Sequence, residues 1–272
     1  MSYVKIGNVE IGNNPRMMLL SVIDSASGSV ARREVSFAGF DGSSYFDISY
    51  KPRGFTVQGA IFGSSAADLE AQKIMLTNAC DCKSETDVYY FNGAHEYYAK
   101  AFPSQLPKYT KKSNTTCMFS VTLDICGFYW LSPHEIVNGV FERSDNLYGT
   151  FTLPRPFTKR SQGAKLINGG SVPVPPVFEI TTERSLAARD ITITNESYSS
   201  FIKLQSYAIA ANEIITIDCS GCTAESTVNG NIVKYISDDS SFFMVELGEN
   251  SLICNDSELT VKIRWRERFL GV

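Results

Sequence analysis

RGFTVQGAIFGSSAADLEAQKIMLTNAC, residues 53–80, sets two periodicities back to back. In its first part Phe55, Val57 and Gly59 fall on one side of an alternating run, the period-two mark of a half-buried strand. Past Ser65 the period changes. Asp68 follows Ser65 by three residues, as in a capping box. Leu69, Leu76 and Ala79 or Cys80 then share one helical face, with Gln72 and Lys73 turned away from it. The stretch predicts a strand followed by a helix over 65–80.

Outward from that stretch the reading is almost entirely strand. VKIGNVEI (4–11) predicts a hairpin, and RREVSFAG (32–39) and SYFDISY (44–50) predict a second one turning at Asp41-Gly42. DVYYFNGAHEYYAKAF turns at Asn92-Gly93, and TTCMFSVTLDICGFYW (115–130) reads as a long strand ending at Ser132-Pro133. Residues 139–172 hold Gly149, Pro154, Pro156, Gly163 and Gly169-Gly170 with little clean period. A second strand-rich block follows: VPVPPVFEI, DITITN, SFIKLQSY, EIITIDC, NIVKYI, FFMVEL, SLIC and LTVKIRWRERF. Short strands with turns every 8–12 residues are the pattern of a β-sandwich or jelly roll. The expected fold class is mainly β. Residues 1–133 form an α+β domain with one helix on a barrel-like or half-barrel sheet. Residues 134–172 form a linker or long loop carrying a partial hairpin, and 173–272 form the sandwich.

Composition narrows the function. The 272 residues carry a formal net charge of −4, with 43% hydrophobic and 20% charged residues, which fits a globular protein and not a nucleic-acid binder with a basic face. The start, MSYVKIGNVEIGNN, lacks the apolar core of a secretory leader, and no apolar run approaches the roughly 18–20 residues that span a bilayer, so membrane insertion is not expected. Seven cysteines, an odd number and widely scattered, read as reduced thiols.

Catalytic signatures are weak. The two histidines, His95 and His134, sit beside a turn and after a proline, outside any local triad signature. Acidic residues fall mostly in turns, where they cap backbone amides, and do not present the two positioned carboxylates of a glycosidase. No phosphate-binding glycine motif follows a strand. Cys219-Ser-Gly-Cys222 has the spacing of half a zinc site. The other close pair, Cys80 and Cys82, lies in the other domain, and Cys254 leaves a fourth ligand missing. A redox CxxC opens a helix, whereas these flanks are strand-like. The motif reads as a bulge or tight turn in which Gly221 relieves strain. No catalytic, metal or cofactor site is expected.

The order of the motifs carries a resemblance. RGFTVQGAIFGSS followed by AADLEAQKIMLTNAC, then FSVTLDICGFYWLSP, then PPVFEI, DITITNESYSSFIKL, EIITID, VNGNIV, FFMVELGENSL and LTVKIRWRERF, spans nearly the whole chain. The sequence resembles the distal tail proteins of long, non-contractile-tailed bacteriophages, the siphovirus tail component family. The resemblance implies a galectin-like C-terminal sandwich and a homohexameric ring of N-terminal domains at the virion tail tip, made in the host bacterial cytoplasm. It implies the tail tube protein, the tape-measure protein, a tail-associated lysin or spike and receptor-binding proteins as partners, and DNA passing through the channel without specific binding. The segment 141–165 is longer and more irregular than a bare linker, and no carbohydrate-binding module interrupts the two domains. Within 25–50, Arg32, Arg33, Phe37, Phe40, Tyr45 and Phe46 form a candidate arm onto a neighbouring subunit; the competing reading is an ordinary hairpin packed on its own domain. Two other functions remain open at this point: a carbohydrate-binding module aiding adhesion to the host surface, which requires exposed aromatics on one sheet face, and an accessory hydrolase, which requires paired carboxylates or a histidine beside a nucleophile.

Overall fold

The computed structural model describes residues 2–24, 30–36, 43–141, 163–256 and 258–272. The chain forms two compact units, Met1–Pro133 with Phe269–Val272, and His134–Arg268. The first holds strands β1 (Tyr3–Ile6), β2 (Val9–Ile11), β3 (Met17–Asp24), β4 (Val30–Ser36), β5 (Ser43–Tyr50) and β6 (Arg53–Phe62). Helix α1 (Ala66–Ala79) follows, then β7 (Thr86–Phe91), β8 (Glu96–Pro103), β9 (Lys108–Lys111), β10 (Thr116–Ile125) and β11 (Trp130–Leu131).

The main sheet of this unit runs in the order β2-β1-β7-β8-β10-β6-β3, with β9 on β10 and β11 on β8. Its two end strands, β2 and β3, are consecutive in sequence and are tied by Gly12 N donating to Met17 O at 2.8 Å, so the sheet curls until its edges meet. Alternation fills the interior: Phe55, Val57 and Ile61 from β6 pack with Val121, Leu123 and Ile125 from β10 and Val4 and Ile6 from β1. Leu69, Leu76 and Cys80 seat the helix on this core. The helix starts as expected, Ser65 Oγ accepting from Asp68 N at 3.2 Å, but the Asp68 carboxylate accepts from Ser64 N and Oγ at 2.8 and 2.9 Å. The return half of the capping box thus lands one residue further out.

Gly59 lies in the middle of β6, opposite Phe119 on one side and Leu19 on the other. A side chain there would press on the Phe119 ring and come within 2.5 Å of Met18 O. The glycine is needed because an aromatic ring and a neighbouring backbone occupy the space a Cβ would take.

The second unit holds β12 (Ile136–Phe141), β13 (Gly163–Asn168), β14 (Val177–Thr181), β15 (Leu186–Asn195), β16 (Ser200–Ile209), β17 (Ile214–Asp218), β18 (Thr223–Ser226), β19 (Gly230–Asn231), β20 (Gly248–Cys254) and β21 (Thr260–Trp265). A six-stranded sheet, β12-β21-β14-β17-β18-β19, faces a four-stranded one, β13-β20-β15-β16. Phe178, Ile180, Ile215, Ile217, Val261 and Ile263 from the first meet Leu166, Ile191, Ile193, Ile202, Leu204 and Leu252 from the second in one core.

Several expectations are corrected. Both described ends of the supposed linker 134–172 are strands of the sandwich, β12 and β13; glycine in each had blurred their period. The remainder of that segment, 142–162, lies outside the described residues. Phe269–Val272, expected in the sandwich, belongs to the first unit. NIVKYI is not a strand throughout: after Asn231 it forms a 3-10 turn, Val233–Tyr235. FFMVEL alternates in burial, with Phe243 and Val245 inside, but forms only an isolated bridge, Val174 to Val245. The long strand 115–130 breaks after Ile125.

A buried carboxylate ties two turns of the sandwich together. Glu213 accepts from Tyr207 OH at 2.5 Å, from Ser226 Oγ and from Ala210 N at 2.7 Å, while Asn229 Nδ2 donates to Tyr207 OH at 2.8 Å. Burial alone would raise the carboxyl's pKa, but the bonds from Ser226, Tyr207 and Ala210 outweigh it and hold the group below its ordinary value.

Two outcomes are expected. Gly59→Ala, harmless in an open strand, will destabilise the first unit by about 1–3 kcal/mol through overpacking, measured by chemical denaturation. Glu213→Gln will destabilise the second unit by about 1–3 kcal/mol at neutral pH. Because the native pKa is lowered, that contribution is present above the unfolded value near 4.3 and is lost as pH falls through the native one. The gap between wild type and variant must therefore narrow below about pH 4.

Candidate functional site

Among the described strands, only β4 and β5 belong to no sheet larger than two strands. They form a hairpin, a two-stranded sheet of its own, paired from Val30↔Tyr50 to Ser36↔Ser43. Opposed residues share a face, so Arg33 with Phe46 and Val35 with Ser44 lie on one side, and Glu34 with Tyr45 on the other. Tyr45 and Phe46 are 52% and 53% exposed, and Val35 is also exposed. Apolar side chains are therefore open to solvent on both faces. Of the proposed arm residues, Arg33, Tyr45 and Phe46 sit on the described strands, with Arg33 and Phe46 brought face to face. Arg32 lies on β4, and Phe37 and Phe40 lie outside the described residues.

The hairpin is rooted on a group that the sequence reading passed over. Arg53, fully buried, donates from Nε to Asp24 Oδ1 at 2.9 Å and from Nη2 to Asp24 Oδ2, and from Nη1 to Phe128 O at 3.1 Å and Leu270 O at 2.6 Å. The signal was present: Arg53 occupies the same parity as Phe55 and Val57, where a charge demands a buried partner.

Among the described residues no histidine lies near Arg53 in a buried setting. His95 and His134 are both exposed. Among the described residues no group of three or more His, Cys, Asp or Glu is placed to hold a metal ion. An open cleft of about 660 Å³ near Ala187–Asp190 is occupied by Arg189 bonded to Asp256 at 2.9 Å and Glu258 at 2.8 Å, an ion-pair lattice that answers its own charges. Among the large apolar and aromatic side chains described as exposed in the second unit, Tyr198 is the single aromatic.

Comparison with known proteins decides the family. Residues 13–125 match the phage tail protein RIFT-related domain, and residues 169–269 match the siphovirus-type tail component, C-terminal domain. The chain belongs to the siphovirus-type tail component family. It is a phage distal tail protein, a component of the virion tail tip. Its fold is similar to that of the Dit protein (gp 19.1) of phage SPP1, at a TM-score of 0.70 with 12% identity over 99% of both chains. Two structures of the phage P2 baseplate are similar at lower scores: one, with calcium, at 0.48 with 10% identity over 98% of each chain, the other, with strontium, at 0.47 with 12% identity over 97% of each. No curated protein matches the sequence.

Within this tail protein the CSGC stretch is the turn joining β17 to β18. Cys219 is buried and Cys222 exposed. Burial, then Asp218 and Cys222, pushes the Cys219 thiol up to about 12, so it is neither a ready nucleophile nor a ready metal ligand. The expectation that Gly221 carries the strain is corrected: Cys222 has the positive φ, 52°. Asp218 Oδ1 accepts from Ser220 N at 2.7 Å and from Gly221 N at 3.4 Å, which is turn chemistry.

All seven cysteines are free, Cys82, Cys126 and Cys222 exposed and Cys80, Cys117, Cys219 and Cys254 buried. A thiol reagent applied to the native tail protein will label the first three quickly and the other four only on unfolding. Mass spectrometry of labelled peptides checks this; zinc or a disulfide at CSGC would protect Cys222 and break the pattern.

Proposed function

We propose that this protein is the non-catalytic hub of the tail tip, six copies closing into a ring through their first units and joining the tail tube to the adsorption apparatus. The observation that carries this reading is the β4–β5 hairpin. An isolated two-stranded ribbon is marginal in water, and this one bears apolar groups on both faces. Such a ribbon is stable when another chain covers it. A second copy is the economical cover, because a closed ring presents the same complementary surface at every junction and caps sheet edges that would otherwise invite aggregation.

The remaining assignments follow from the family. SPP1 Dit is described as a paradigm of the hub adsorption apparatus in phages infecting Gram-positive bacteria, and the same role is proposed here. The tail tube protein, the tape-measure protein and the tail-associated lysin or spike are the proposed axial partners. The second unit, proposed to be galectin-like, faces receptor-binding proteins. DNA would cross the channel without sequence reading, in keeping with the formal net charge of −4.

Light scattering and negative-stain images of the purified protein test the ring directly, six-fold particles being the expected result. Phe46→Glu places a charge on the hairpin face that also carries Val35, far from either core. It should shift the hexamer to monomers at equal concentration while leaving the melting temperature of the second unit unchanged. A wild-type protein that stays monomeric at high concentration, with no ring in assembled tails, overturns the reading.

A further inference from the structure

Asp24 is the last residue of β3 and Arg53 the first of β6. They mark the root of the β4–β5 hairpin, where the chain leaves the main sheet and where it returns. The β3–β6 ladder ends at Asp24↔Phe55 and the hairpin ladder, in a sheet of its own, begins at Val30↔Tyr50. One guanidinium spans this root. Two of its nitrogens grip Asp24, and the third, Nη1, reaches Phe128 O at 3.1 Å and Leu270 O at 2.6 Å. The Phe128 ring lies 5.5 Å from the guanidinium carbon. Phe128 precedes the passage into the second unit at His134, and Leu270 follows the return at Phe269. The same residue therefore holds the arm's root, the outgoing chain and the incoming chain.

We propose that Arg53 is a coupling joint, making the rigidity of the hairpin root depend on how the returning segment Phe269–Val272 is seated. The guanidinium is planar and rigid, and it is sealed from water that could replace a lost carbonyl. If the returning segment shifts, Nη1 must follow it or leave one of its two N–H donors unsatisfied, and following it tilts the plane that holds the Asp24 carboxylate. A lysine could keep the charge beside Asp24 but could not hold both carbonyls in one plane. Phe269 anchors the returning segment independently by packing edge-on against Tyr97 at 5.1 Å. The inference concerns a single chain and stands whether or not a second copy covers the hairpin.

Hydrogen–deuterium exchange of the full-length protein tests it, on fractions matched for oligomeric state by light scattering. Phe269→Ala loosens the returning segment and leaves Arg53 and Asp24 intact; Arg53→Lys keeps the charge and loses the planar fork. Both should raise exchange roughly tenfold in peptides 20–24, 53–57, 30–36 and 43–50, the size set by weakening a hydrogen bond to a charged group. Peptides 177–181 and 260–265 of the second unit should be unchanged. If Phe269→Ala speeds exchange only around 126–131 and leaves the hairpin and its root at wild-type rates, or loosens the second unit equally, the coupling is overturned. Ring assembly that persists in wild type while the coupling fails would leave the hub reading standing alone.

Discussion

A buried arginine is the constraint around which the first unit is arranged. Placing a guanidinium out of water is unfavourable unless its donors find acceptors and its charge finds a counter-charge. Arg53 finds both, with a forked carboxylate from Asp24 and two backbone carbonyls from segments distant in sequence. Each of those acceptors must then be brought to the place where the arginine points. The end of β3, the loop after β10 and the last residues of the chain are fixed by one side chain. Such a pair is weak evidence for net stability, since an apolar replacement of the same volume can do as well. Its contribution is registry: it says which segments meet, and where the ribbon leaves the sheet.

The ribbon that leaves there inverts the usual rule for strands. In β6 and β10 alternation puts one parity into the core and leaves the other mostly half-buried. In β4–β5 each parity carries an exposed apolar residue, Phe46 with Val35 on one and Tyr45 on the other. A two-stranded ribbon with exposed apolar residues on both faces is marginal in water by itself. The contrast with β9 is instructive. That short edge strand shows lysines, Lys108 and Lys111, to solvent, a common way of keeping an edge from pairing with another chain. One exposed element is thus guarded against association and the other is open to it.

Much of this was legible in the sequence. Period-two alternation located most strands, and the change of period after Ser65 located the helix to within a residue of each end. What failed had physical causes. FFMVEL has the burial pattern of a strand, because Phe243 and Val245 do enter the core, but alternation records burial and not a hydrogen-bonded partner. β12 and β13 hid behind Gly139 and Gly163 and the proline-rich stretch between them. In CSGC the glycine drew the expectation of strain to Gly221, whereas the left-handed position fell to Cys222. The group at the root of the β4–β5 hairpin was not legible, although Arg53 on the core parity of β6 announced a buried partner that only the three-dimensional structure could name.

The placement of the last residues changes what the word domain means here. The second unit does not follow the first; it is inserted between Pro133 and Phe269. A chain cut after residue 133 would keep every strand from β1 to β11 and still leave Arg53 without the Leu270 carbonyl, which accepts from its Nη1 at 2.6 Å. The core would also lose Phe269 and Val272, which pack against it. The family matches, 13–125 and 169–269, trace two modules in sequence, but the first unit is completed only by Phe269–Val272, after the sandwich in the chain. Any account of how the β4–β5 hairpin is held must therefore include residues at the far end of the chain, because Phe269–Val272 completes the first unit.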